Sequence, residues 1–306
     1  MSMNPSSHKP IGPLSVGNVV STGLRLYRSH LKPYFRVALF ATLWIVLPFV
    51  LFIPLVFLFI SQLLGLSALW LIIPLWLVIF LYCFSQYLTN SALISRLGFG
   101  ELIDKPEAVN MGRGQLNSRN WSFLFQSILV GLLLLAFYII CAIVALIVAG
   151  ILGVVLSLIN PTFGTIISVI IAVCVVLLGL SWLYSRLWLA EVILAVEEGN
   201  QAIPSIGRSW ELTQTSAFRI QGVFLVTFLV TLPIVLITSY LPQIPLIYVE
   251  QRSATYWTLY VISLVFSFAG GAVTLPFWQV IKAVVYYDVR SRREGLGLQL
   301  RDWQSP

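Results

Sequence analysis

The chain has 306 residues, of which 59% are hydrophobic and only 9% are charged, and its formal net charge is +7. Soluble globular proteins are roughly half apolar and about a quarter charged. The composition therefore excludes an ordinary soluble domain and predicts an all-α, polytopic integral membrane protein. Three cysteines lie inside apolar runs, and no CxxC or Cys/His cluster is present, so neither a disulfide framework nor a metal site is predicted.

Residues 1–13 are predicted to be disordered, because they are rich in Pro, Ser and Gly and show no periodicity. An amphipathic helix follows from Ser15, with apolar residues three or four apart at Val16, Val20, Leu24, Tyr27 and Leu31. We expect this helix to lie in the membrane interface instead of crossing the bilayer.

Six apolar stretches are long enough to span a membrane, which takes about 20 residues of helix. They are residues 37–60, 68–88, 121–150, 165–184, 221–240 and 257–285. The second helix is expected to project beyond its span and to break at Gly98 and Gly100. The spans form three hairpins joined by amphipathic cytosolic elbows within a membrane domain of residues 14–285, and residues 286–306 form a basic cytosolic tail broken by Gly295 and Gly297.

The basic residues predict the orientation of the chain. Of the 18 Lys and Arg residues, all except Arg252 fall on the side that holds both termini. Cytoplasmic loops carry such an excess, so the sequence predicts cytosolic N and C termini in a bacterial cytoplasmic (inner) membrane or a related internal membrane. These basic residues flank apolar spans, and we therefore expect anionic lipids of the cytosolic leaflet as partners, with a membrane-protein partner as a further expectation and no nucleic acid.

An internal repeat is indicated by the two elbows that precede spans one and five. Setting Arg25 against Arg208 places Arg36 opposite Arg219 without a gap, and the aromatic residues between them also correspond. We interpret the chain as three units, each an elbow followed by a hairpin, packed as parallel repeats. Coincidence is the alternative, because basic and aromatic residues gather at every membrane entry.

Three sequence blocks carry a resemblance to a known family: LSVGNVVSTGLRLYRSHLKPYF (Leu14–Phe35), GRSWELT (Gly207–Thr213) and YYDVRSRREGLGLQL (Tyr286–Leu300). Placed around six apolar spans, they resemble the membrane domain attached to some bacterial glycerophosphoryl diester phosphodiesterases, a family that also contains stand-alone membrane proteins. The two-domain enzymes carry metal-binding carboxylates and paired histidines in a separate barrel. This chain has no room for a barrel, so the resemblance implies the membrane module without the enzyme.

Two groups of residues are candidate sites. Basic residues of the elbows and tail are candidates for binding lipid headgroups, or alternatively serve only to set topology: Arg25, Arg28, Lys32, Arg208, Arg219, Arg290, Arg292 and Arg293. Glu191 lies in the apolar segment LWLAEVILAV, where an unpaired carboxylate is costly. We predict a structural ion pair between Arg186 and Glu191, with Arg96 and Lys282 as other potential partners and a substrate or proton site as the alternative role.

No catalytic residue or cofactor is predicted, because no nucleophile with a base and no set of three metal ligands is recognisable in the sequence. The sequence favours a non-enzymatic, lipid-interacting scaffold or accessory subunit of a membrane complex. The rival is a channel or secondary transporter for a small or lipid-like solute. That rival requires a continuous polar path within spans five and six, for which the candidates are Thr227, Thr231, Thr274 and Gln279.

Overall fold

The computed structural model describes residues 14–61, 65–251 and 253–295, and the structure is all-α over these ranges. The elements, in chain order, are α1 (Val16–Ser29), α2 (Leu31–Ile60), α3 (Leu66–Leu102), α4 (Val109–Asn117), α5 (Asn120–Ser157), α6 (Pro161–Leu187), α7 (Ala190–Val196), α8 (Ala202–Leu212), α9 (Ala217–Val235) and α10 (Ala254–Glu294). The predicted disordered residues 1–13 and the tail beyond Gly295 lie outside the described residues.

Six helical segments are long and apolar enough to cross a membrane: Leu31–Leu55, Ser67–Leu102, Asn120–Ser157, Pro161–Val196, Ala217–Tyr248 and Ala254–Glu294. The chain is therefore a multi-pass helical membrane protein, as predicted from composition. These segments extend past the predicted spans, because the helical backbone continues from hydrocarbon-compatible sequence into polar sequence. One such extension carries α10 to Glu294, where Gly295 ends it in the left-handed conformation (φ 65°).

The predicted break at Gly98 and Gly100 is wrong, since α3 runs on to Leu102 and turns at Ile103 and Asp104. The reason is tertiary packing. A Cβ at Gly98 would lie 3.4 Å from the Cβ of Ala283, so this glycine lets α10 approach α3 closely. Glycine weakens a helix by only about 1 kcal/mol relative to alanine, and packing between two long helices outweighs that cost.

Helix α1 packs against three other helices. Val16 contacts α9 at Gly222, Gly23 meets Ile281 of α10, and Leu26 reaches Gly98 of α3. The approach is closest at Gly23, where an added Cβ would clash with Ile281 Cδ1. Helix α1 is not among the candidate spans, as expected for a helix that does not cross the bilayer; its predicted place in the membrane interface stays a prediction.

The third hairpin is less regular than the first two. Beyond α9, residues Leu236–Tyr240 form a π-helical turn and Leu241–Tyr248 form 3₁₀ turns that contain two prolines. Thr238 of the π-helical turn packs against Gly270 of α10, where an added Cβ would clash with Thr238 Oγ1. Gly270 therefore allows the chain to return closely along α10.

The order of short and long helices recurs three times. α1 precedes the hairpin of α2 and α3, α4 precedes that of α5 and α6, and α8 precedes that of α9 and α10. This order agrees with the three-unit interpretation of the sequence. We call the end of the bundle that carries α1, α4, α7, α8 and the last turns of α10 the polar end.

The buried core lies at the polar end. Ile193 of α7 and Ile281 of α10 are fully buried in one cluster, while Ile94 of α3 and Leu194 of α7 belong to a second. Farther along the hairpins, apolar side chains face outward; Trp70 is 86% exposed and Leu158 84% exposed. In a bilayer such exposure carries no hydrophobic penalty, because lipid tails are themselves apolar. The fold therefore holds its helices together mainly at one end.

Candidate functional site

Ion pairs at the polar end join distant parts of the chain, and one network surrounds Asp288. This side chain is 1% exposed, and it pairs with Arg219 of α9 and Arg292 of α10. It also accepts a hydrogen bond from the Leu14 backbone N–H at 2.8 Å. Both arginines donate to the Leu14 carbonyl at 2.9 Å. A buried carboxylate requires such compensation, so the network fixes the two ends of the described chain at the same end of the bundle.

A second network connects the α7–α8 turn to the end of α10. Arg208 of α8 pairs with both Glu197 and Glu294. Arg290 pairs with Glu294 at 2.9 Å and donates to the Tyr286 hydroxyl at 3.2 Å. The Tyr286 hydroxyl in turn donates to Glu197 at 2.8 Å. These contacts close a ring that fixes α8 against α10.

A third network surrounds Arg96 of α3. Its guanidinium pairs with Glu107 at 2.7 Å and donates to the Ala195 carbonyl at 3.0 Å. Nearby, Arg119 donates to the carbonyl of Asn200. Burial, followed by the positive charge of Arg96, lowers the pKa of the Arg119 guanidinium from its ordinary value. Arg96 and Arg119 thus connect the first two units to the α7–α8 segment.

The structure divides the eight predicted headgroup residues into two groups. Five of them hold internal contacts: Arg208, Arg219, Arg290 and Arg292 in the networks described above, and Arg293, which donates to the Glu211 carbonyl and to Thr215. Of these five, Arg292 and Arg293 are nevertheless exposed. The remaining three, Arg25, Arg28 and Lys32, are exposed and make no contact of this kind to another described element; Arg25 donates to Thr22 of its own helix at 3.4 Å. The acidic partners of the arginines in the first group are Glu197 in the α7–α8 turn and Asp288 and Glu294 on α10, all distant in sequence from α1.

The three exposed cations continue into a fourth, Arg36, to form what we call the basic stripe: Arg25, Arg28, Lys32 and Arg36. Arg25 and Arg28 are three residues apart on α1, and Lys32 and Arg36 are four apart on α2, so the members of each pair share a helix face. At the joint between α1 and α2, His30 N–H bonds to the Leu26 carbonyl and Tyr34 N–H to the His30 carbonyl. The backbone of His30 itself is not helical (φ −119°, ψ 30°), so α1 and α2 are separate helices. Within the described residues, no carboxylate forms an ion pair with any member of the stripe.

Glu191 has a different partner from the one predicted. Its carboxylate pairs with Lys282 of α10, and Gln279 donates to it at 3.2 Å. Gln279 also donates to the hydroxyl of Ser91 on α3. The side chains of Glu191 and Lys282 are 19% and 12% exposed. The pair therefore joins α7 to α10 inside two candidate spans, and Gln279 extends the contact to α3.

The prediction that Arg186 pairs with Glu191 is wrong, because the turn between α6 and α7 directs the two side chains toward different helices. Arg186 ends α6 and lies over the ring of Trp210, with 4.2 Å from Cζ to the ring centroid. The carbonyl of Arg186 accepts hydrogen bonds from Ser209 (2.7 Å) and Thr213 (3.2 Å), both on the side of α8. Arg186 therefore faces α8, while Glu191 faces α10.

A small cavity adjoins the ion pair, and an apolar groove lies next to it. We call the first the polar cavity because Glu191, Lys282 and Gln126 line it, although the rest of its wall is mainly apolar. The cavity has a volume of about 170 Å³ and is lined on one side by Glu191 and Lys282. The groove has a volume of about 740 Å³ and lies between α5, α6 and α9. Tyr184 and Trp188 line both spaces. A charged compartment thus lies beside an apolar one near the polar end.

Gln126 is a functional candidate that sequence reasoning missed. It is buried on α5, where its side-chain amide donates to the Ala190 carbonyl at 2.8 Å and to the hydroxyl of Ser205. It also lines the polar cavity. The sequence signal was present, since Gln126 is a strongly polar side chain inside an otherwise apolar span.

The described residues offer the basic stripe and the cavity beside Glu191 as ligand surfaces. Within those same ranges, no group of three or more His, Cys, Asp or Glu side chains is placed to hold a metal ion. Comparison with known proteins gave no match to any family model, curated protein or solved structure.

Proposed function

We propose that this protein is a non-enzymatic, lipid-interacting scaffold or accessory subunit of a bacterial cytoplasmic (inner) or related internal membrane. In this proposal both termini are cytosolic, and the basic stripe binds anionic headgroups of the cytosolic leaflet. The observation that carries the proposal is the exposure of four consecutive cations, two on α1 and two in the first turns of α2, without an acidic partner among the described residues.

The position of the stripe supports a headgroup contact. Lys32 and Arg36 lie in the first turns of the span Leu31–Leu55, and Arg25 and Arg28 lie on α1. Long basic side chains at a span end extend toward the headgroups while their methylene stems cover apolar surface. Each basic residue near an anionic leaflet contributes about 1 kcal/mol, so four acting together give about 4 kcal/mol.

The test compares lipid binding by two stripe variants. The neutral variant carries Arg25→Gln, Arg28→Gln, Lys32→Gln and Arg36→Gln. The matched control keeps every charge by carrying Arg25→Lys, Arg28→Lys and Arg36→Lys. Each protein is purified in mild detergent, reconstituted with mixtures of phosphatidylglycerol and phosphatidylcholine, and examined for bound lipids by native mass spectrometry.

We expect the wild type and the lysine control to retain phosphatidylglycerol preferentially, because both present four positive charges. The neutral variant should lose this preference. High salt should weaken it in the wild type, since exposed charges are screened. Equal phosphatidylglycerol retention by all three proteins at low salt would contradict the assigned role of the stripe, and a neutral variant that melts as the wild type does would exclude misfolding as the cause.

The rival proposal, a channel or secondary transporter, receives less support from the candidate path. Each of its threonines donates to a carbonyl of its own helix: Thr227 to Val223, Thr231 to Thr227, and Thr274 to Gly270. Gln279 turns instead toward Ser91 and Glu191. These hydrogen bonds satisfy the polar groups locally and do not link them into a path along spans five and six.

The relationship to the membrane domain of bacterial glycerophosphoryl diester phosphodiesterases is part of the same proposal. Six candidate spans are the architecture that this resemblance implies. Two of the three sequence blocks that carry the resemblance contain residues with a defined structural role. Leu14–Phe35 contains α1 with three members of the stripe, and Gly207–Thr213 contains Trp210, which packs over Arg186.

A further inference from the structure

The apolar groove has the form of a site for a lipid chain. Its walls are mainly leucine and aromatic side chains from α5, α6 and α9, including Leu178 and Phe224. Polar groups occur toward one end, where the Gln221 amide donates to the Ser181 hydroxyl at 3.0 Å. Groups of this kind suit the ester region of a phospholipid, which lies between the headgroup and the acyl chains.

The polar cavity adjoins the groove, because Tyr184 and Trp188 line both spaces. The cavity wall carries both members of the ion pair between Glu191 and Lys282. Gln126 adds an amide group to the same wall. A molecule with its chain in the groove would therefore place its headgroup beside one positive and one negative side chain.

The two charges restrict the headgroup. A phosphate that pairs with Lys282 leaves Glu191 without its positively charged partner. An unpaired carboxylate in a protein interior is strongly destabilising. A headgroup that also carries an ammonium restores the balance, because the ammonium pairs with and donates hydrogen bonds to Glu191. The trimethylammonium of a choline headgroup has no N–H to donate, so it fits Glu191 less well.

We infer that the cavity beside Glu191 and Lys282, together with the apolar groove, binds one phospholipid that has an ethanolamine headgroup. Its phosphate contacts Lys282, its ammonium contacts Glu191, and an acyl chain fills the groove between α5, α6 and α9. This site is separate from the basic stripe, which attracts anionic headgroups. Either site can therefore fail its test while the other passes.

The experiment uses the full chain, purified in mild detergent and freed of bound lipid. Phosphatidylethanolamine, phosphatidylcholine and phosphatidylglycerol with identical acyl chains are titrated separately, and native mass spectrometry counts the lipids bound per chain. We expect one phosphatidylethanolamine to bind about tenfold more tightly than phosphatidylcholine, which corresponds to about 1.4 kcal/mol. Phosphatidylglycerol bound through the stripe is identified by its loss in the neutral stripe variant.

A groove variant tests the site without changing the ion pair. Leu178→Trp fills the groove, and Leu146→Trp is the matched control, because both leucines are exposed but only Leu178 lines the groove. The groove variant should lose the tight phosphatidylethanolamine, whereas the control retains it. A second variant, Glu191→Gln with Lys282→Gln, removes both charges together and should abolish the preference for ethanolamine over choline.

Two results would overturn the inference. One is equal affinity of the wild type for phosphatidylethanolamine and phosphatidylcholine. The other is tight phosphatidylethanolamine binding that survives Leu178→Trp. Because the neutral stripe variant leaves the groove and the ion pair unchanged, loss of phosphatidylglycerol preference in that variant refers to the stripe alone and says nothing against this site.

Discussion

Replacement of Asp288 by asparagine is the sharpest test of how the polar end is held together. The substitution keeps the shape of the side chain but removes the charge that faces Arg219 and Arg292. Removal of one partner from a buried ion pair costs about 3–5 kcal/mol. The Arg292 side chain is 36% exposed and is partly screened by solvent. We therefore expect the lower end of that range, about 3 kcal/mol.

Thermal unfolding in detergent, followed by intrinsic tryptophan fluorescence, measures the effect. At about 2 °C per kcal/mol for a chain of this size, the Asp288→Asn variant should melt roughly 6 °C below the wild type. Glu250→Gln is the control, because Glu250 is exposed and such a surface change alters stability by at most about 0.5 kcal/mol. An Asp288→Asn variant that melts together with this control would refute the anchoring role of the network.

Further predictions concern single close contacts. Gly23→Ala should destabilise the protein by about 1–3 kcal/mol through overpacking against Ile281, and a second substitution, Ile281→Val, should restore part of the loss. Gly17→Ala, with nothing within 4 Å of the added Cβ, should instead stabilise α1 by up to about 1 kcal/mol; equal melting of the two glycine variants would contradict the close packing of α1 against α10 at Gly23. Gln126→Ala should cost about 1–3 kcal/mol, because it leaves the buried Ala190 carbonyl without its donor, and an unchanged melting temperature would show that this bond is dispensable.

The number of membrane spans could be predicted from the sequence, because it depends on the apolar length of each segment and not on contacts between segments. Apolar length decides whether a helix can cross hydrocarbon, and spacings of three and four residues predicted α1 within one residue of its start at Val16. The end of α3 could not be predicted in the same way. Gly98 is a helix breaker only by propensity, and its contact with Ala283 joins segments that are far apart in the chain.

The partners of the charged residues were harder to predict, since they come together only in the folded bundle. Lys282 pairs with Glu191 across a separation of 91 residues. A local signal did exist in α10, where Asp288 and Arg292 are four residues apart, as are Arg290 and Glu294. Such spacing on a helix favours internal ion pairs over free cations. Recognition of this spacing would have separated these arginines from the members of the basic stripe.

Labelling of single cysteines with a membrane-impermeant maleimide tests the orientation on which the proposed lipid contacts depend. Native cysteines are first replaced by alanine, and one cysteine is then placed at Ser29, beside the stripe, or at Glu250, in the connection between spans five and six. In intact bacterial cells we predict labelling at position 250 and none at position 29 until the membrane is permeabilised. Labelling of position 29 in intact cells, or of both positions from one side, would contradict a cytosolic basic stripe.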